Sequence, residues 1–195
     1  MTIYAGHYAT YEKLIIRLKE VVTISQQRVT DESPDPLFNE NLNFFTKAYL
    51  ISLCTYLEAF LQDVAWTYVG SVKARIATAQ IPTNVVRWCF AKDVKEKDLV
   101  FEALTLDLSR KDVADELSGN PGKTIALFRK IGVNLRSNSQ FEACKEVVGS
   151  IVAKRNNIIH HNDSAADISL KDLLSYADQF LSYMRAVETC VSETP

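Results

Sequence analysis

The stretch FEACKEVVGSIVAKRNNIIHHND, residues 141–163, decides the fold because its apolar side chains recur at helical spacing. The side chains that mark one helix face are Cys144, Val147, Val148, Ile151, Val152, Ile158 and Ile159. Arg155 lies on the same face, four residues after Ile151 and three before Ile158, so its guanidinium points toward whatever that face packs against. Burying an unpaired charge is costly, so this pattern predicts a partner, a cleft or an interface for Arg155.

Few helix-breaking residues interrupt the rest of the chain. Its 195 residues include 6 Gly and 5 Pro, and 47% of them are hydrophobic, which is enough for a sizeable core. Long runs of helix-compatible residues with so few breakers favour an all-α protein over one built from many short strands. We therefore expect one helical domain over residues 1–195.

Apolar periodicity and turn signals divide the chain into helices. The expected helices span about 8–28, 38 or 41 to 79, 124–131, 139–159 and 169–191. The second should bend near Gly70 and end before Pro82, and Gly132 should close the third. Shorter helices are expected between residues 85 and 116.

The charge balance restricts how nucleic acid can be held. A net charge of -2 argues against binding by global positive charge, so any RNA contact requires a local basic patch. Residues 117–141 contain no Asp or Glu. The candidate RNA-binding residues are Lys123, Arg129, Lys130 and Arg136 in that segment, and Lys154 on the motif helix. Such a patch could guide RNA toward Arg155, and a merely solvated basic face fits the same residues.

The cysteines and the apolar stretches point to a cytoplasmic protein. Cys54, Cys89, Cys144 and Cys190 stand singly, without a CxxC pair, and are expected to be small core residues in a reducing compartment. The beginning of the chain has no secretory signal pattern. Residues 48–69 are interrupted by three polar residues and suit the central helix of a bundle better than a membrane span.

No metal and no cofactor is expected from the residue pattern. A zinc site made of Cys144, His160 and His161 is conceivable, but adjacent histidines on a regular helix cannot both face one ion. No second ligand-rich motif accompanies them.

Glu58 parallels Arg155 on the other long helix. It follows Ile51 by seven residues and Cys54 by four, so a carboxylate interrupts the core face of the central helix. Opposite charges on two buried faces suggest each other as partners. The alternative is that Glu58 pairs elsewhere or reaches solvent at a groove.

Three stretches resemble one family. Arg155 and Asn156, followed after three residues by His160, resemble the R-N-x-x-x-H signature of the HEPN superfamily, which includes many metal-independent endoribonucleases. Residues 52–61, SLCTYLEAFL, resemble the S-x-x-x-x-L-E-x-F-L helix of the RiboL-PSP and MAE-type branches. Residues 121–132, PGKTIALFRKIG, are similar to the segment before the motif helix in those branches. Together the three cover roughly residues 44–163.

The resemblance implies an HEPN-like antiparallel helical bundle with extra short helices. It also implies a homodimer with its catalytic groups at the interface, and RNA cleavage by attack of the ribose 2′-hydroxyl. Arg155 and His160 would be the catalytic residues, supported by Glu58, by Asn156, which would bind RNA or fix the loop, and by His161. Because the two histidines are adjacent, His161 is the alternative catalytic residue.

The biological role implied by the resemblance is that of a toxin or antiviral-defence effector controlled by a regulatory or antitoxin protein. Two other functions fit the same residues: a non-catalytic HEPN-like dimeric interaction module, and a partner of a nucleotidyltransferase. A structural explanation of the motif also exists, because basic residues, Asn and His favour helix C-termini. That explanation does not account for Arg155 on the apolar face.

The spacing of the two motif residues constrains how they can meet. Arg155 and His160 are five positions apart, which on a regular helix is roughly 7.5 Å of rise and about 140° of rotation. Both cannot easily reach one phosphate from one straight helix. Either the helix unwinds after Asn157, or the histidine of one subunit faces the arginine of another across a two-fold axis.

Overall fold

The computed structural model describes residues 3–91, 100–161 and 164–194. Within these ranges the regular secondary structure is helical, and the one strand-like pairing is an isolated bridge between Pro82 and Ala103. The α-helices are α1 (Ile3–Thr30), α2 (Pro36–Glu40), α3 (Leu42–Ala79), α4 (Thr83–Ala91), α5 (Arg110–Glu116), α6 (Pro121–Lys130), α7 (Ser139–His161) and α8 (Leu170–Glu193). The expectation of an all-α fold is confirmed.

The predicted helices are present, with ends that differ from the predicted ones by up to five residues. The short helix α2 was not expected as a separate element, and it forms because the Asp35 carboxylate accepts a hydrogen bond from the backbone N–H of Leu37 beside Pro36 at the helix start. Gly132 follows α6 with a φ of +93°, a left-handed conformation that favours glycine. Of the segment expected to form shorter helices, α4 and α5 are described and residues 92–99 lie outside the described residues.

The long helices α1 and α3 run antiparallel. Near the start of α1, Nε2 of His7 lies 2.9 Å from the hydroxyl oxygen of Thr67. Near the end of α1, the hydroxyl oxygen of Ser25 lies 2.8 Å from that of Tyr49. Residue numbers therefore rise along one helix as they fall along the other. The short connection through α2 is consistent with this pairing, because antiparallel neighbours need only brief links.

Helix α8 also runs antiparallel to α1. Lys19 pairs with Asp178 at 2.5 Å, and the Arg185 guanidinium lies 3.5 Å from the centroid of the Tyr8 ring. Helix α7 packs along α8, where the rings of Phe141 and Tyr183 lie 4.8 Å apart. The C-terminal end of α7 is therefore at the end of the bundle opposite the start of α1.

Helix α3 is the central helix of the bundle. It packs against α1, α7 and α8. Its buried residues include Leu50, Leu53, Cys54, Leu57, Phe60, Leu61, Val64, Ala65 and Tyr68. By length and composition alone, α3 is the one described helix apolar enough to cross a membrane. The packing agrees with its expected place in the core of the bundle.

Two helices begin with reciprocal capping boxes. At the start of α8, the Ser169 hydroxyl accepts a hydrogen bond from the backbone N–H of Asp172, and the Asp172 carboxylate accepts from the backbone N–H of Ser169. Ser109 and Asp112 repeat the arrangement at α5. Hydrogen bonds from Ser169 hold the pKa of the Asp172 carboxyl below its usual range.

Loss of the α8 cap should lower stability in a pH-dependent way. Ser169→Ala should reduce the free energy of unfolding by about 1 kcal/mol at pH 7. The pKa of Asp172 is lower in the folded state than in the unfolded state. The stabilisation that its carboxylate contributes is therefore complete above the unfolded pKa of about 4, and it is lost as the pH falls through the lower pKa of the folded state. Urea unfolding at pH 7 and pH 3 measures both effects.

The matched control for this prediction is Ser150→Ala. The Ser150 hydroxyl donates to the backbone carbonyl of Val147 within exposed helix and caps nothing. We expect this variant to unfold like the wild type at both pH values. An equal decrease in the free energy of unfolding of Ser169→Ala at pH 7 and at pH 3 would contradict the role of Asp172.

Candidate functional site

The apolar face predicted for α7 is mostly correct but too wide. Its buried residues are Phe141, Cys144, Val148, Ile151, Val152 and Ile158. Val147 and Ile159, assigned to the same face, are 42% and 47% exposed, so these two assignments are wrong. Helix α7 contacts α8, α3 and α6. These contacts bury a narrower arc than the pattern predicted, and Val147 and Ile159 lie outside it.

Arg155 is on the buried side of α7 and has a carboxylate partner. Its Nη2 donates to Oε2 of Glu58 on α3 at 2.8 Å. The two side chains are 16% and 29% exposed, so the pair lies at the edge of the core. Of the two possibilities left open by the sequence, the structure shows the Glu58–Arg155 pair. It fixes the guanidinium against the central helix.

Asn156 holds the same guanidinium from its own helix. Nη1 of Arg155 donates to Oδ1 of Asn156 at 3.0 Å. A guanidinium has five N–H groups, so each Nη retains one N–H after these two bonds. The Nε–H is buried and has no partner among the described residues. Arg155 is thus held on two sides, and the Cys54 thiol also lies within hydrogen-bonding reach of its guanidinium.

Cys54 lies beside this pair in the core. Burial raises the pKa of the Cys54 thiol to about 12, and the neighbouring Arg155 opposes that shift. The thiol is therefore neutral and unreactive near pH 7. Cys54, Cys144 and Cys190 are buried as expected, but Cys89 on α4 is exposed, so its assignment to the core is wrong. None of the residues of α4 is buried, and the bundle therefore offers Cys89 no core to join.

The two histidines stand in the last turn of α7 on its exposed side. Helix α7 continues through His161, so the possibility that it unwinds after Asn157 is wrong. His160 and His161 are both exposed. Within the described ranges, neither ring forms a hydrogen bond, and Asn162 and Asp163 of the motif stretch lie outside those ranges. Arg155 and His160 of one chain therefore project from different sides of one continuous helix.

The profile of the RiboL-PSP-HEPN family matches residues 12–193. The chain belongs to this HEPN family. The match extends beyond residues 44–163, where the motifs lie, and takes in most of α1 and all of α8. No curated protein and no solved structure matches the chain significantly. Membership of the family indicates a ribonuclease or a nucleotide-related function.

The five basic residues of this HEPN domain that the sequence predicts to bind RNA differ in their ion pairing. Three of the five basic residues form ion pairs, which are Lys130–Glu116, Arg136–Glu142 and Lys154–Asp167. Their carboxylates lie outside residues 117–141, so the acid-free run in the sequence did not reveal them. Lys123 and Arg129 are exposed and form no ion pair with another described residue. These two remain the unpaired cations of the predicted patch.

Proposed function

We propose that the protein is a metal-independent endoribonuclease that acts as a homodimer. The observation that carries this proposal is the placement of Arg155, whose guanidinium is oriented by Glu58 and Asn156 at the edge of the core. A guanidinium oriented in this way suits two oxygens of one phosphate. A guanidinium held in a fixed orientation at the edge of the core, where its side chain remains 16% exposed, favours an anionic ligand.

His160 would move the proton in this reaction. In the proposed step the ribose 2′-oxygen attacks phosphorus and loses its proton to a base, while the bond from phosphorus to the 5′-oxygen breaks and that oxygen gains a proton. An imidazole suits either proton transfer near neutral pH, as base or as acid. Arg155 would stabilise the charge that develops on the phosphorane oxygens. The products are a 2′,3′-cyclic phosphate and a 5′-hydroxyl.

The reacting groups would come from two copies of the chain. Because α7 is continuous through His161, the rotation of about 140° between Arg155 and His160 is retained within one chain. A two-fold axis beside α7 would bring His160 of one copy opposite Arg155 of the other. The exposed Val147 and Ile159 on this helix would then be covered by the partner. The α7 helices of the two copies would then lie side by side and form one groove for RNA.

We further propose that the enzyme is a cytoplasmic toxin or antiviral-defence effector that a regulatory or antitoxin protein controls. The rival proposal is a non-catalytic HEPN-like interaction module, including a partner of a nucleotidyltransferase. One observation favours the rival, because neither histidine ring is oriented by a hydrogen bond to a described residue. The same observation is expected of an active site that is completed only by a second copy.

Cleavage should proceed in EDTA and leave cyclic phosphate ends. The described residues contain no group of three or more His, Cys, Asp or Glu side chains able to hold a metal, and attack by the 2′-hydroxyl requires none. Purified protein should therefore cut total RNA equally with EDTA or Mg²⁺. Mass spectrometry of the fragments should find 2′,3′-cyclic phosphates or 3′-phosphates.

An otherwise identical RNA with 2′-deoxyribose at the cleaved position is the control, and it should remain intact. Fragments with 5′-phosphate and 3′-hydroxyl ends would show a different reaction. Intact RNA under every condition, with a dimer present, would favour the interaction module.

A further inference from the structure

Helix α4 and the segment 100–104 together expose a group of large apolar side chains. Four of them are between 50% and 77% exposed, and these are Val85, Trp88, Val100 and Phe101. None of the residues of α4 is buried, so this helix contributes nothing to the core of the bundle. Single exposed apolar residues are ordinary, but a contiguous group marks an interaction site.

Hydrogen bonds hold the two segments side by side. An antiparallel bridge pairs Pro82, just before α4, with Ala103. The side-chain amide of Asn84 donates to the backbone carbonyl of Val100 at 3.2 Å. Trp88 follows Asn84 by one helical turn, so both lie on the same side of α4. The four exposed side chains therefore form one surface, which we call the α4 patch.

The charge around the α4 patch is positive. Residues 64–91 contain no Asp or Glu, and their charged residues are Lys73, Arg75 and Arg87. Lys73 donates to the carbonyl oxygen of Leu108, whereas Arg75 and Arg87 are exposed and form no ion pair with another described residue. Glu102 is the one carboxylate that the segment 100–104 adds. Positive surroundings on a chain of net charge -2 favour a negatively charged ligand.

We infer that the α4 patch docks an apolar segment of a partner protein that carries acidic residues beside its apolar side chains. This inference goes beyond the proposed cleavage reaction and does not depend on it. The centres of protein–protein interfaces are enriched in Trp, Phe and Arg and depleted of Lys and Glu. Trp88 and Arg87 are adjacent on α4 and belong to the residue types that most often dominate the binding energy of an interface.

Other ligands fit the α4 patch less well. Interfaces with nucleic acid are more polar and much more positively charged than interfaces with protein, whereas here apolar side chains predominate. A helix that lies on a membrane surface carries several Lys or Arg on its polar face, and α4 carries one cation, Arg87. A second copy in isologous contact would place the positive surroundings of both patches opposite each other, and like charges oppose such pairing.

The α4 patch is remote from the motif. Helix α4 comes after the end of α3 at Ala79, which lies 21 positions beyond Glu58. On a regular helix, 21 positions correspond to a rise of roughly 32 Å. A partner on the α4 patch therefore leaves the Arg155 guanidinium uncovered, and its binding can be measured separately from RNA cleavage.

Selection from a library of random peptides displayed on phage tests the chemistry of this partner. The library would be selected on the purified wild-type protein, after removal of peptides that bind a variant carrying both Trp88→Ser and Arg87→Glu. The enriched peptides should combine apolar residues at helical or alternating spacing with a net negative charge. This composition follows from the apolar side chains of the patch and from its positive surroundings.

Single variants then test the contribution of each residue. Trp88→Ser and Arg87→Glu should each weaken the binding of an enriched, fluorescein-labelled peptide roughly tenfold or more in fluorescence anisotropy. Both side chains are exposed, so neither substitution removes a core contact. The matched controls are Leu37→Ser on α2 and Arg129→Glu on α6, which change an exposed apolar residue and an exposed cation outside the patch. Both controls should bind the peptide like wild type.

The remaining outcomes would overturn the inference. These are a lack of enrichment, enrichment of neutral or basic peptides, and equal binding of the peptide by wild type and both variants. Binding of a single-stranded oligonucleotide or of anionic lipid vesicles that requires Trp88, without peptide binding, would assign the patch to RNA or to a membrane. Loss of a homodimer in Trp88→Ser would assign it to a second copy. Acidic peptides that require Trp88 and Arg87 would support the docking surface even if the protein never cut RNA.

Discussion

Arg155→Ala and His160→Ala should each slow RNA cleavage by about a thousandfold or more while the protein stays folded. The first variant removes the guanidinium proposed to stabilise the phosphorane, and the second removes the proposed proton-transfer group. Single-turnover cleavage of a defined RNA measures the loss, and circular dichroism with thermal unfolding verifies the fold. In cells, both substitutions should relieve any growth inhibition caused by the wild type.

Two further variants make this result interpretable. Arg155→Lys keeps the charge opposite Glu58 but loses the planar fork, so it should fold normally and still be strongly impaired. His161→Ala should cleave close to the wild-type rate, and a larger loss there than in His160→Ala would identify His161 as the catalytic histidine. Full activity of both Arg155→Ala and His160→Ala would reject the assignment altogether.

Mixing the two inactive variants should restore cleavage to about a quarter of the wild-type rate if sites are built across a two-fold axis. With equal amounts and random exchange, half of the dimers contain one chain of each kind. In each such dimer one composite site combines an intact Arg155 with an intact His160, and the other site has neither. Recovery from almost no activity to this level is a large and specific signal.

The mixing experiment has a built-in comparison. A chain that carries both Arg155→Ala and His160→Ala should restore nothing when it is mixed with either single variant. Light scattering should report a homodimer for all of these proteins. A monomer that cleaves RNA at the full rate, or no recovery from mixed subunits that demonstrably exchange, would place both groups within one chain.

The sequence alone predicted the helices and the unusual position of Arg155. The spacing of Cys144, Val148 and Ile151 identified the buried side of α7, and Arg155 lies there as the same spacing required. Glu58 was found in the same way, from a carboxylate on the core side of α3. Both predictions depend only on the period of one helix, and helical geometry is a local property of the sequence.

Ion pairs that depend on the paths of the loops could not be predicted in the same way. Lys130 lies fourteen residues from Glu116 and Lys154 lies thirteen from Asp167, and these pairs depend on how loops return to the bundle. Val147 was misplaced because the width of a buried arc is set by the number of neighbouring helices. The hydrogen bond from Arg155 to Asn156 was not foreseen either, since adjacent residues on a helix do not normally face each other.

The pairing of α1 with α8 has a practical consequence for the design of these experiments. Tyr8 contacts Arg185, so the first turns of α1 and the last turns of α8 lie side by side, at the end of the bundle opposite His160. A fluorophore or affinity tag attached at either end would stand clear of the proposed groove. Adjacent ends also suit circular permutation, because a short peptide could join them without crossing the molecule.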